Sequence, residues 1–64
     1  MIKFEGAILN ENNIAYAYVS YSDYSNLWVI RVQMMRGGDI TFSFDSEAKA
    51  QDYLNNLFLK IGGR

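Results

Sequence analysis

Neither histidine nor cysteine occurs among the 64 residues of this chain, which removes most of the usual parts of an active site. Acyl transfer through a Ser–His or Cys–His pair has nothing to work with. A structural zinc site would lack its thiolate and imidazole ligands, and no disulfide can form. What is left is carboxylate chemistry. Glu47 and Asp52 bracket the start of an expected helix, but their spacing puts them on different helical faces, where they read as solvated charges. The other acidic residues are scattered, without the D-x-[DN]-x-[DN]-G spacing of a calcium loop. Arg36-Gly37-Gly38-Asp39 has the glycines of an anion cradle, yet it lacks G-x-x-x-x-G-K-[ST] and leads into a strand. A glycine hairpin turn accounts for it. Gly62-Gly63-Arg64 reads as a helix stop followed by a terminus. The expectation is a chain with no catalytic residue, no metal and no cofactor.

The remaining side chains with recognisable chemistry are aromatic. Five Tyr, four Phe and one Trp make up 16% of the residues, and half of the chain is hydrophobic. Tyr16, Tyr18, Tyr21, Tyr24 and Trp28 could stack nucleobases on a sheet, with Arg31 or Arg36 on the phosphates. Stacking platforms of that kind sit in basic grooves, whereas six Lys or Arg face seven Asp or Glu here for a formal charge of −1. The charges also lie singly along the chain, so duplex nucleic acid is not expected. Single-stranded nucleic acid, or a nucleotide-like ligand in a dimer cleft, stays as the alternative to protein binding.

Size points to self-association. A chain this short buries only about 60% of the surface it exposes when unfolded. It usually needs a disulfide, a metal, a second copy or unusually good packing. Without Cys or His, packing and a second copy remain. No apolar stretch approaches the roughly 20 residues needed to cross a bilayer. Met1-Ile2-Lys3-Phe4-Glu5 lacks the order of a signal peptide. The expected location is the cytoplasm, with no membrane partner.

The elements that would position these side chains follow from periodicity. Residues 2–9 alternate as a first strand, with Ile2, Phe4, Gly6 and Ile8 on one face. The Asn-rich segment 10–13 is a turn. A second strand runs over 14–21, a third over 27–35, and a fourth over 40–44, linked by 22–26 and 36–39. The period then changes to 3.6. Asp45 and Ser46 suit an N-cap and Glu47 the first turn. Ala50, Tyr53, Leu54, Leu57, Phe58 and Ile61 form one apolar stripe, ended by Gly62 and Gly63. The predicted fold is α+β: a four-stranded antiparallel β-meander with one C-terminal helix on one face. Residues 1–61 form the domain and 62–64 a short tail.

A single helix covers a single face, so the two faces of the sheet must differ. In the fourth strand Ile40, Phe42 and Phe44 point inward. In the third, Arg31 and Gln33 mark the outer face and Trp28, Ile30, Val32 and Met34 the inner one. The second strand is apolar on both faces. With Ser20 outward, Ala15, Ala17, Val19 and Tyr21 lie under the helix. Ile14, Tyr16, Tyr18 and Ser20 then face out beside Leu27, Val29 and Met35; a one-residue slip would swap the two sets. An outer apolar cluster of this kind marks an interaction site. Tyr16, Tyr18, Leu27 and Val29 are the expected contacts, with Arg31 as a polar anchor. Two copies could pair by strand edges or stack sheet on sheet.

Three strings carry a resemblance: Ile14-Ala15-Tyr16 after the Asn-rich turn, Trp28-Val29-Ile30-Arg31-Val32, and Gly38-Asp39-Ile40-Thr41-Phe42-Ser43-Phe44-Asp45-Ser46-Glu47. Together they resemble short proteins of Bacillus, related bacteria and their phages, in which a sheet leads into an F-x-S-x-E-A-like helix start. Small phage proteins of this shape include anti-defence factors, those directed at the Hachiman system among them. The resemblance implies a phage-type inhibitor in the host cytoplasm, acting by occluding or sequestering a bacterial protein partner and needing no catalytic residue. It carries no residue-level motif to transfer.

Overall fold

A computed structural model describes residues 1–62. It is α+β with five strands in two antiparallel sheets and one C-terminal helix. In chain order these are β1 (Ile2–Phe4), β2 (Ala7–Leu9), a 3-10 turn at Glu11–Asn13, β3 (Ile14–Ser22), β4 (Leu27–Met34), β5 (Asp39–Phe44) and α1 (Glu47–Gly62). The expected four-stranded meander is therefore corrected. A meander of three strands, in the order β3-β4-β5, is joined by a separate hairpin, β1-β2.

The difference lies at Glu5-Gly6. Phe4 pairs with Ala7 across a two-residue loop, and both loop residues take positive φ, +48° at Glu5 and +84° at Gly6. Those are the angles of a type I′ turn, whose twist matches that of the strands it joins. The turn reverses the chain, so alternation does not run through residues 2–9. Phe4 and Leu9 are buried, whereas Ile8, expected on the face of Phe4, is 67% exposed.

The 3-10 turn is built by its asparagines. Asn10 Oδ1 accepts from the Asn12 N–H at 3.0 Å, and the Asn13 N–H donates to the Asn10 carbonyl at 2.8 Å. Asn13 then fastens the far end of the β3-β4 hairpin. Its Oδ1 accepts from the Arg36 N–H at 3.1 Å and its Nδ2 donates to the Arg36 carbonyl at 3.2 Å. The side-chain amide thereby imitates one residue of a strand, just beyond a β-bulge. The ladder pairs Ile14 with Met34 and Tyr16 with Gln33, leaving Ala15 as the extra residue. Two expectations are corrected as a result. Ile14 packs against the core instead of facing out, and Ala15 is exposed instead of lying under the helix. Ala17 and Val19 do contact the core. At the next turn Gly37 and Gly38 both have positive φ, and β5 begins at Asp39, one residue earlier than expected.

The core lies between the inner face of the three-stranded sheet and α1. Ile30, Val32 and Phe44 of the sheet meet Ala50, Leu54 and Leu57 of the helix, with Phe4 and Leu9 of the first hairpin. Burying each of the larger side chains contributes roughly 1.5–3 kcal/mol. Phe4 stands edge-on to Phe42 at 5.0 Å between ring centroids, and Tyr53 leans on Phe44 at 4.9 Å. The hairpin β1-β2 therefore closes the core on the side of β5. Lys60 Nζ donates to the Lys3 carbonyl at 2.7 Å and ties helix to hairpin. Ser46 Oγ caps the helix by accepting from the Lys49 N–H at 3.2 Å. Gly62, expected in the tail, is the last residue of the helix; Gly63 and Arg64, the rest of the expected tail, lie outside the described residues. Among the described residues no helix is long and apolar enough to cross a membrane.

Candidate interaction surface

The outer face of the three-stranded sheet bears no helix, and register decides what it displays. Tyr16 lies opposite Gln33, Tyr18 opposite Arg31, Ser20 opposite Val29 and Ser22 opposite Leu27. On the other side of β4, Arg31 is paired with Thr41, Val29 with Ser43 and Gln33 with Asp39. Directly opposed residues project from the same face. All five expected contact residues, Tyr16, Tyr18, Leu27, Val29 and Arg31, are thus brought to one surface.

They are not equally available. Tyr16 is 57% exposed and Tyr18 41%, and their rings stack with centroids 6.0 Å apart and planes 28° from parallel. Val29 occupies the middle of the central strand and is only 8% exposed, walled in by its neighbours. Leu27 is half-buried. Val29 lies one diagonal step from Tyr18, and Leu27 lies further along the same face, opposite Ser22. Met35, expected in the same patch, sits beyond the end of β4 and is exposed there.

Arg31 stands at the centre. Its Nη1 donates to Asp39 Oδ2 at 2.6 Å, in an ion pair whose side chains remain 42% and 35% exposed. Water screens such a pair, so it contributes at most about 1 kcal/mol to folding. Its effect is to orient the guanidinium. The Arg31 Nε is buried and meets no acceptor among the described residues. Ser20, Ser43, Thr41 and Gln33 complete the surface, which makes it a hydrophilic face holding one aromatic pair. Sequence pattern alone missed Asp39 as the partner of Arg31. The pair is diagonal, since Asp39 lies opposite Gln33 and Arg31 opposite Thr41, and diagonal neighbours on one face are within reach of a long side chain.

The other exposed apolar side chains lie elsewhere. Phe58 (49%) and Leu59 (68%) are on the C-terminal half of α1, although Phe58 was expected in the buried stripe. Tyr21 is 46% exposed at the far end of β3, in edge contact with Trp28 at 5.1 Å. Tyr24, at the tip of the β3-β4 loop, is fully exposed. No group of three or more carboxylates among the described residues is arranged to hold a metal ion.

The chain matches no protein-family model, no curated protein and no solved structure.

Proposed function

We propose that the protein is a small non-catalytic binding module that docks another protein on the outer face of its sheet and pairs with a second copy of itself. The observation that carries this is the stacked, exposed pair Tyr16–Tyr18 beside the oriented Arg31 on a sheet face that no helix covers. Tyr and Arg are the residue types that dominate interface energetics, because a rigid amphipathic ring or a planar fork loses little entropy when held. Val29, buried in the central strand, and Leu27, at the other end of the face, add apolar surface to it. A module of this kind acts by covering a partner's surface, the mode implied by the resemblance to phage inhibitors of bacterial proteins.

A stacked pair of tyrosines next to an arginine is also a base-stacking platform, which keeps single-stranded nucleic acid as the second reading. Two features weigh against it: Arg31 is engaged with Asp39, and the whole chain carries a formal charge of −1.

Replacing both tyrosines by Thr tests the module, since Thr keeps the β-branched fit to a strand while removing the rings. The intact chain, purified with a partner captured from its source cells, is expected to form a complex of defined stoichiometry by light scattering. The double variant should lose that complex while keeping the helical circular dichroism of the folded chain. Undiminished binding by the folded double variant would remove the outer face from consideration. Binding to a single-stranded oligonucleotide that falls steeply with salt would favour the second reading.

A further inference from the structure

We infer that the second copy binds along the free edge of β3, antiparallel to its own β3, and that the two three-stranded sheets become one six-stranded sheet. This rests on the self-pairing proposed above and says which surface performs it. In the sheet order β3-β4-β5 the two edges are β3 and β5. Every second amide and carbonyl along an edge strand points away from the sheet. Among the described residues, no hydrogen bond outside the β4 ladder reaches the backbone of residues 16–21. Natural sheets blunt such edges with Lys, Pro, bulges or a covering segment. From Ile14 to Ser22 the chain reads Ile-Ala-Tyr-Ala-Tyr-Val-Ser-Tyr-Ser, without one charge or proline. The bulge at Ala15 disturbs one end only, and residues 16–22 remain a regular strand.

The other edge is unsuited to the same pairing. β5 begins with Asp39 and is followed at once by Asp45. Full antiparallel overlap of two β5 strands about Phe42 would set Asp39 of each copy against Asp45 of the other. Like charges directly opposed across strands are destabilising. Sheet-on-sheet stacking fails for a different reason. The outer face would have to bury the Arg31–Asp39 pair with Ser20, Ser43, Thr41 and Gln33, and desolvating an ion pair costs more than its attraction returns unless new partners are supplied.

The inner side of the β3 edge offers a further contact. Tyr53 and Lys60 occupy the flank of α1 that turns to β5 and the first hairpin. Phe58, on the opposite flank at 100° per residue, turns toward β3. The helix starts beside Phe44, in line with Trp28 and Tyr21 across the sheet. Leu54 and Leu57 pack with Ile30 and Val32, so the helix runs back over the sheet and Phe58 follows about 16 Å from its start, away from the Tyr21 end. When residues 16–22 of two copies overlap fully, Val19 faces Val19 and Ala17 faces Tyr21 of the second copy. Tyr21 of each copy then arrives on the flank where Phe58 of the other stands half-exposed. Covering the exposed halves of the two Phe58 and two Tyr21 rings would remove roughly 400 Å² from water, in addition to the ladder. Stable interfaces bury upward of roughly 1,200 Å² in total, of which these rings supply about a third and the paired β3 strands with their side chains must supply the rest.

The test combines concentration-dependent amide exchange by NMR on the whole chain with light scattering of the wild type and of Phe58→Glu. Pairing at the β3 edge predicts a dimer at high concentration, in which the β3 amides that do not bond to β4 gain protection as concentration rises. Phe58→Glu should raise the dissociation constant at least tenfold and leave the monomer folded. A dimer whose β3 edge amides keep their monomer exchange rates would overturn edge pairing and leave self-association itself standing. Edge pairing is equally overturned if Tyr16→Thr/Tyr18→Thr breaks the dimer and Phe58→Glu does not. A chain that stays monomeric up to millimolar concentration would overturn both the edge pairing and the self-pairing, while leaving the partner-binding face untouched.

Discussion

Asn13 clamps the end of the β3-β4 hairpin that lies away from its turn. Its amide makes two hydrogen bonds to the backbone of Arg36, at 3.1 and 3.2 Å, across a separation of 23 residues. Replacement by Ala removes both. Each bond contributes a net 0.5–1.5 kcal/mol, about 1 on average. Arg36 is exposed, so water can partly replace the lost partners and the low end applies. The expected loss is about 1–2 kcal/mol. For a domain of this length 1 kcal/mol moves the melting temperature by about 4–8 °C, so Asn13→Ala should melt roughly 5–15 °C lower. Asn13→Asp is the discriminating control. It keeps the acceptor for the Arg36 N–H, but at neutral pH it sets a carboxylate oxygen against the Arg36 carbonyl where a donor stood. It should therefore be destabilised as well, despite its near-identical shape. Thermal unfolding followed by Trp28 fluorescence reads both variants. If Ala and Asp each melt within 1 °C of the parent, the strand-mimicking clamp does not operate and the β3-β4 hairpin is held by its ladder alone.

Two other substitutions probe the first hairpin. Leu9→Ala deletes a side chain that is 2% exposed, and such truncations cost about 2–5 kcal/mol. A core of this size rarely supplies more than about 3–5 kcal/mol, so urea titration should find the variant largely unfolded in water; a shift in midpoint of a few tenths molar would mean that the hairpin is not integral to the core. Glu5→Asn should stabilise by about 0.5–1 kcal/mol, because Asn tolerates the positive φ of +48° that Glu5 adopts and Asn-Gly is the preferred pair for a type I′ turn. A lower melting temperature for this variant would show that the turn is of another kind.

Pattern and structure agree wherever an element has one apolar face only. Ile40, Phe42 and Phe44 alternate with Thr41 and Ser43, so periodicity alone orients β5. The same holds for β4, where Arg31 and Gln33 exclude one face from the core, and for the helix, whose stripe turns to the core at Ala50, Tyr53, Leu54, Leu57 and Ile61, Phe58 excepted. These local patterns were legible because a single amphipathic element records in its own residues which side is buried. They placed Leu27, Val29 and Arg31 on one surface, whereas Tyr16 and Tyr18 joined it only on the choice of Ser20 as outward, with a one-residue slip left open.

What the residues did not disclose were the points where alternation changes phase. Glu5-Gly6 turns a seeming strand into a hairpin, and the bulge at Ala15 reverses the faces of Ile14 and Ala15. Both segments are apolar on two sides, so either phase satisfies the local pattern, and only packing against Leu54, Leu57 and the sheet selects one. Burial of Val29 is likewise a property of its central place between Ser20 and Ser43, and exposure of Phe58 a property of where the sheet ends. Composition and periodicity by themselves determined that this is a small α+β domain with no His or Cys chemistry and one sheet face left without a helix. Which strand lies at the edge was decided by tertiary structure, because an edge exists only once the other strands have taken their partners.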